Sequence, residues 1–162
     1  MNTNNLYLHV VSNDDTHAVM DSWHLDRTPI SFKEASDVIN NMLQNYKKNK
    51  RGFIYHLCLA VCNKEEPNTI LGWCGLDGTV NQVEPEIFIV LCEGYRGMGI
   101  GSWCAKEVIR IATDEYGIKS IHGGCDKNNV ASKRVLEKSG MVQYGVNEEG
   151  DPQFIYKAPM VK

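Results

Sequence analysis

The segment that most restricts what this chain can become runs from Glu86 to Gly117. It opens with Glu86-Ile87-Phe88-Ile89-Val90-Leu91, crosses a stretch holding Gly94, Gly97, Gly99 and Gly101, and enters a helical pattern. A run that is apolar on both sides reads as a central strand covered on both faces. Cys104, Ala105, Val108, Ile111, Ala112 and Tyr116 then recur at helical spacing, and Gly117 stands where a left-handed C-cap glycine belongs. A strand that ends in such a loop and opens a helix aims several unpaired N–H groups at one spot, with the positive helix end behind them. Glycines lack the Cβ that would hold a ligand away from the backbone. The loop therefore predicts an anionic guest, a phosphate or pyrophosphate.

Spacing narrows the choice. A Walker loop needs Gly-x-x-x-x-Gly-Lys-Ser/Thr, and no such lysine follows here. The dinucleotide fingerprint counted from Gly97 needs glycine at position 102, where this chain has Ser102, so a nucleotide-dependent oxidoreductase is a weak match.

The flanks supply the layers. Leu6, Leu8 and Val10 alternate as in a strand, Asp14 and Asp15 open a first helix, and Ser31-Phe32-Lys33-Glu34 matches a capping box. Behind the box Ala35, Val38, Ile39, Met42, Leu43 and Tyr46 mark a second helix to about Lys48. Strands are expected over 53–62 and 69–76, with a turn at 65–68 between them. Past the glycine helix come a strand over 118–125, a helix capped by Asn128 or Asn129, and a terminal hairpin over 141–158. The order β-α-α-β-β-β-α-β-α-β-β predicts an α/β (α+β) domain: a mixed, largely antiparallel sheet of about seven strands flanked by about four helices. One domain over 1–162 fits the length and the absence of repeats and linkers.

Composition removes other classes. With 43% hydrophobic and 23% charged residues the chain reads as an ordinary globule, and a net charge of -3 gives no basic footprint for nucleic acid. The longest apolar runs, Leu57 to Cys62 and Ile87 to Cys92, are too short for a membrane span, and the start MNTNNLYLHV has no leader pattern. The six cysteines lie in apolar runs without a Cys-x-x-Cys pair, as free, mostly buried thiols of a cytoplasmic protein would. The five histidines form no ligand cluster, so no metal is expected.

Read as Arg96-x-x-Gly99-x-Gly101, the loop resembles the acyl-CoA pyrophosphate loop of the GNAT superfamily of N-acetyltransferases. Asn129-Val130-Ala131-Ser132-Lys133-Arg134-Val135-Leu136-Glu137-Lys138-Ser139-Gly140-Met141 resembles the Asn-x-x-Ser-x-x-Val-Leu-Glu-Lys-x-Gly-Phe segment of its ribosomal-protein (RimJ/RimL-like) branch. The resemblance covers Glu86 to Met141. It implies acetyl-CoA as cosubstrate and direct attack on its thioester by a primary amine, on a protein N-terminus, an amino acid or a small molecule. Arg96, Gly97, Met98, Gly99, Ile100, Gly101 and Ser102 would hold the pyrophosphate. Main-chain groups of Ile89, Val90 and Leu91 would pair with the pantetheine arm, with the Val90 N–H facing the thioester oxygen. Asn129 would bond the same arm, Glu86 would be the general base, with Glu84 as a local competitor, and Ser132 would donate to the departing thiolate.

Two departures stand out: Leu136 occupies the position of a common tyrosine acid, and Met141 replaces phenylalanine. The acceptor side is expected between the first two helices and the terminal hairpin. Trp23, His24, Asp26, Arg27, Phe32, Trp73 and Phe154 are its candidate residues. A homodimer is compatible with the resemblance. An acyl-CoA-binding sensor without turnover is the competing reading that Leu136 leaves open.

Overall fold

The computed structural model describes residues 1–161. The elements are β1 (Leu6–His9), α1 (Thr16–Ser22), α2 (Phe32–Tyr46), β2 (His56–Asn63), β3 (Glu66–Asp77), β4 (Glu86–Leu91), α3 (Ile100–Arg110), β5 (Ser120–Gly124), α4 (Val130–Lys138), β6 (Val142–Val146) and β7 (Pro152–Lys157). This is the order expected from the sequence. The seven strands form one sheet in the order β1-β2-β3-β4-β5-β7-β6, antiparallel throughout except between β4 and β5.

Local chemistry sets most boundaries. The capping box closes reciprocally: the Glu34 N–H donates to Ser31 Oγ at 3.2 Å and the Ser31 N–H donates to Glu34 Oε2 at 2.8 Å. The α3 pattern reaches Tyr116 because the helix widens into a π turn over Ile111–Glu115 before Gly117 ends it at φ 65°. Strand β2 starts at His56, three residues later than expected. The Asn49 side chain accepts from the Tyr55 and His56 N–H groups at 2.8 and 3.1 Å, and Ile54 donates to the Gln82 carbonyl at 2.9 Å. Strand β3 starts at Glu66, earlier than expected, since a register shift at Cys62 lets the chain turn at Lys64 and Glu65.

The sheet has a core on each face. Leu57, Leu59, Leu76, Ile87, Ile100, Val108 and Phe154 belong to the core beneath α3 and α4, and Val19, Ile39, Met42, Ala60, Ile70 and Trp73 to the one beneath α1 and α2.

The irregularity that matters lies between β4 and β5. They pair only at Glu86↔His122, where the His122 N–H donates to the Pro85 carbonyl at 2.9 Å. Past that point the strands part. The other edge of β4 is paired to β3 along its whole length, from Glu86↔Asp77 to Leu91↔Gly72.

Candidate functional site

The glycine loop exposes its amides. The N–H groups of Arg96, Gly97, Met98 and Gly99 have no acceptor among the described residues, and the first turn of α3 has no side-chain cap. The first helical bond is donated by Trp103 to the Gly99 carbonyl at 3.1 Å, which leaves the amides of Ile100, Gly101 and Ser102 as the orphan donors every helix start has. Gly97 and Gly99 stand at φ 75° and 80°, a region side-chain-bearing residues avoid. Gly101 is there for a different reason: a Cβ on it would sit 3.3 Å from Val135 of α4.

These amides open onto a cavity of about 790 Å³ that follows the gap between β4 and β5 toward α4. Glu86, Ile89, Val90, Leu91, Arg96, Gly97, Gly99, Gly101, Ser102, Asn129 and Ser132, all singled out from the sequence, line it together. Met98 and Ile100 do not. Met98 turns its side chain to solvent and Ile100 is wholly buried under the sheet, so only their amides remain available. Arg134 and Lys138 of α4 also line the groove and, with Arg96, make it cationic. The Arg96 Nε donates to the Leu91 carbonyl at 3.2 Å, bracing the end of β4 against the loop.

The ladder phase corrects the expected main-chain donor. The Cys92 N–H donates to the Leu71 carbonyl at 2.9 Å, and the register is regular from there back to Glu86. Backbone groups alternate edges along a strand, so Val90 exchanges its bonds with Trp73 of β3. Ile89 and Leu91, not Val90, direct their N–H groups toward the gap.

On α4 the Asn129 Oδ1 accepts from the Ser132 N–H at 3.0 Å, a helix cap. The Asn129 Nδ2 and the half-buried Ser132 hydroxyl have no partner among the described residues, so both can bond a guest in the groove. Leu136 is 6% exposed and adds only apolar surface there.

A second cavity of about 560 Å³ lies on the α1/α2 face. Glu86, Ile87, Phe88, Val90 and Leu25 line both cavities, so the two meet across β4. Trp23 and Trp73 are there as expected, ring centroids 5.7 Å apart and edge to face. His24, Asp26, Arg27, Phe32 and Phe154 are not, nor is any residue of the terminal hairpin. Phe154 is fully buried in the opposite core, and Arg27 is drawn away, stacking over Tyr95 and donating to the Ile70 carbonyl at 3.1 Å. In their place stand His56, Cys58 and Asp77 from the sheet and Asn41 and Asn45 from α2. No lysine or arginine lines this cavity among the described residues.

The carboxylates are distinguishable. Glu84 lies 3.7 Å from His122 and lines neither cavity, whereas Glu86 has no hydrogen-bond or ion-pair partner among the described residues. Burial pushes the Asp77 carboxyl up, but two hydrogen bonds from Thr79 and the nearby His56 outweigh it and hold the group below the usual carboxylate range. Burial pushes the Cys58 thiol up to about 12, which removes it as a nucleophile near neutrality. All six cysteines are free, and the described residues contain no group of metal-ligating side chains and no helix long and apolar enough to cross a membrane.

Comparison with known proteins agrees with this geometry. The family model described as "Acetyltransferase (GNAT) domain" matches residues 5–142. No curated protein is similar enough in sequence to match. Among solved structures, the ribosomal-protein-S5-alanine acetyltransferase of Vibrio fischeri superposes with a TM-score of 0.78 at 15% identity, covering 97% of this chain and 95% of that one. An acetyltransferase of Agrobacterium tumefaciens str. C58 gives 0.70 at 18% identity, with 98% and 94% covered. A chimera of the Vibrio cholerae spermidine N-acetyltransferase with hSSAT gives 0.68 at 13%, with 94% and 95% covered. At these identities the likeness is one of fold. The family match, by contrast, runs from β1 to the start of β6 and takes in the glycine loop, the parted strands and α4, and on that ground the chain belongs to the GNAT family and is an N-acetyltransferase.

Proposed function

We propose that residues 1–162 act as one domain that moves an acetyl group from acetyl-CoA to a primary amine, the amine attacking the thioester directly in a ternary complex. The observation that carries this reading is the meeting of two cavities of opposite character across β4: a cationic groove and an acidic pocket that share Glu86.

The groove suits the cosubstrate. Its unpaired amides from Arg96 to Ser102 and the side chains of Arg96, Arg134 and Lys138 match a diphosphate, and the free edge of β4 matches the amide-bearing pantetheine arm. Acetyl-CoA supplies an acetyl group already activated as a thioester. The N–H groups of Ile89 and Leu91 are placed to hold its carbonyl oxygen, the type of contact whose loss costs about 3 kcal/mol in enzymes where it has been tested. Asn129 Nδ2 anchors the arm and the Ser132 hydroxyl stands ready to donate to the thiolate. A CoA thiol with a cysteine-like pKa of about 8.5 leaves readily enough that Leu136 in place of an acid is tolerable.

An amine arrives as an ammonium and must lose a proton before it can attack. Glu86 faces both cavities without a competing partner and is the base. Ile89 is three positions farther along β4, about 10 Å at the usual strand rise, so a water spans the remaining distance. The acceptor is a cationic amine on a small molecule or a peptide N-terminus. A pocket of about 560 Å³ is of small-molecule size, and Asp77 and Glu86 disfavour acceptors carrying a nearby carboxylate. The free thiols support a cytoplasmic setting.

Free CoA release measured across a panel of small amines and peptides, with Glu86→Gln as the control, tests the proposal. Release with at least one amine, lost in the variant, is expected. A chain that binds acetyl-CoA yet releases no CoA with any acceptor is instead the sensor that Leu136 leaves open.

A further inference from the structure

The residues common to the two cavities mark where cosubstrate and amine must meet. Glu86, Ile87, Phe88 and Val90 belong to β4, and Leu25 is the one shared residue outside that strand. Leu25 lies between α1 and α2, half-buried, and packs against the core beneath those helices. With the thioester oxygen held at the Ile89 or Leu91 N–H, the acyl carbons come to this junction, because the amine has to reach the carbonyl carbon from the other cavity.

The segment that carries Leu25 is tied to β4 and to the glycine loop. The Glu93 N–H, just past β4, donates to the Leu25 carbonyl at 2.8 Å. The Ser22 carbonyl accepts from Trp73 Nε1 at 3.4 Å and from the Cys92 thiol at 3.6 Å. Two residues past Leu25, Arg27 stands at φ 62°, the only residue besides glycine in the left-handed region among the described residues. Side chains disfavour that region. Here it is held by the Arg27 N–H donating to the His24 carbonyl at 2.9 Å and by the guanidinium, which lies 5.2 Å from the Tyr95 ring centre and bonds the Ile70 carbonyl. A strained turn maintained by its surroundings marks a segment whose placement is constrained.

We propose that Leu25 gauges the acyl chain, its side chain closing the junction to acyl groups longer than acetyl. The inference rests on the reading of the two cavities as cosubstrate groove and acceptor pocket. A longer chain has apolar surface to run onto, since Val90, its cross-strand neighbour Trp73 and the Trp23 ring packed on Trp73 all line the acceptor cavity. A chain lying there would occupy the room the amine needs. Leu25 keeps the two apart, and the Glu93 and Arg27 contacts keep Leu25 in place. Leu25→Ala removes three carbons, enough to admit the two that butyryl adds to acetyl.

The test measures kcat/KM for acetyl-, propionyl- and butyryl-CoA in wild type, Leu25→Ala and Leu25→Phe, with one amine that wild type acetylates. Dissociation constants of the three thioesters are measured alongside by calorimetry. Wild type should lose at least about 10-fold in kcat/KM from acetyl to butyryl, within the range a hydrophobic pocket gives for misfitting methylenes. Leu25→Ala should raise the butyryl-to-acetyl ratio about 10-fold or more, and Leu25→Phe should lower the propionyl-to-acetyl ratio. A merely structural role would slow all three thioesters alike and leave the ratios where they were. Leu25→Phe keeps the test decisive if Leu25→Ala does not fold. A wild type that uses butyryl-CoA as well as acetyl-CoA overturns the gauge, as do ratios that neither variant changes. If transfer occurs and the ratios stay fixed, only the gauge fails. If the chain binds the thioesters but releases no CoA with any amine, the proposed transfer fails. The gauge is then decided by binding: it stands if Leu25→Ala shifts affinity toward butyryl-CoA and falls if it does not.

Discussion

Glu86 was legible from the chain alone because it stands at the start of an apolar strand leading into the glycine loop, and the fold puts it on the wall shared by both cavities. Glu86→Gln should lower kcat by about 10²- to 10⁴-fold with little change in acetyl-CoA affinity, read by steady-state kinetics and titration. Cys58 makes the opposite case. It lines the acceptor cavity, but its thiol is pushed up to about 12, so Cys58→Ser should keep most of the activity, and a thiolate-directed reagent should label Cys58 rapidly only after unfolding. Val90 shows what a residue list omits. Its position on β4 was readable, but the direction of its N–H depends on ladder phase, which Cys92 and Leu71 settle from outside the strand. His56 and Asp77 carry no local signal. They lie on different strands, and only sheet register makes them neighbours of Glu86.

Elements with a self-contained code were predicted closely. The α2 helix starts where Ser31 and Glu34 cap each other. Ser31→Ala should cost about 1 kcal/mol, a fall of roughly 2–4 °C in melting temperature for a domain of this size. The Ser31 hydroxyl and N–H hold the Glu34 carboxyl below its usual range. The box therefore stabilises the fold above that range and loses its effect as pH falls through the Glu34 pKa, so the Ser31→Ala penalty should be larger at neutral pH than in acid. The elements misjudged were those whose limits are imposed from a distance. β2 loses its first residues to Asn49 and Gln82, and β3 takes in Glu66, Pro67 and Asn68, residue types that by themselves favour a turn. In the glycine loop, Gly99→Ala meets no atom within 4 Å but must hold φ 80°. A residue with a side chain pays roughly 1–2 kcal/mol there, so acetyl-CoA binding should weaken about 5- to 30-fold by calorimetry while the fold stays intact.

At the scale of the whole molecule, the sheet is a paired lattice with one planned failure. β4 is held along one edge by β3 and released from β5 after a single pair, and the glycine loop and the N-terminus of α3 close the end of the gap. Element order and the strand before the loop made this architecture predictable. The acceptor pocket was not, because its walls come from the segment that follows α1 (Trp23 and Leu25), from α2 and from three strands whose register no short motif encodes, and the terminal hairpin expected there packs elsewhere. Since a ligand that binds only the folded state raises its stability with concentration, acetyl-CoA should raise the melting temperature and NAD(P) should not. A crystal structure with CoA bound is the most direct measurement of the central claim. It should show the diphosphate oxygens within about 3.2 Å of amide nitrogens between Gly97 and Ser102. A diphosphate lying elsewhere, with those amides bonded within the protein, would contradict the account.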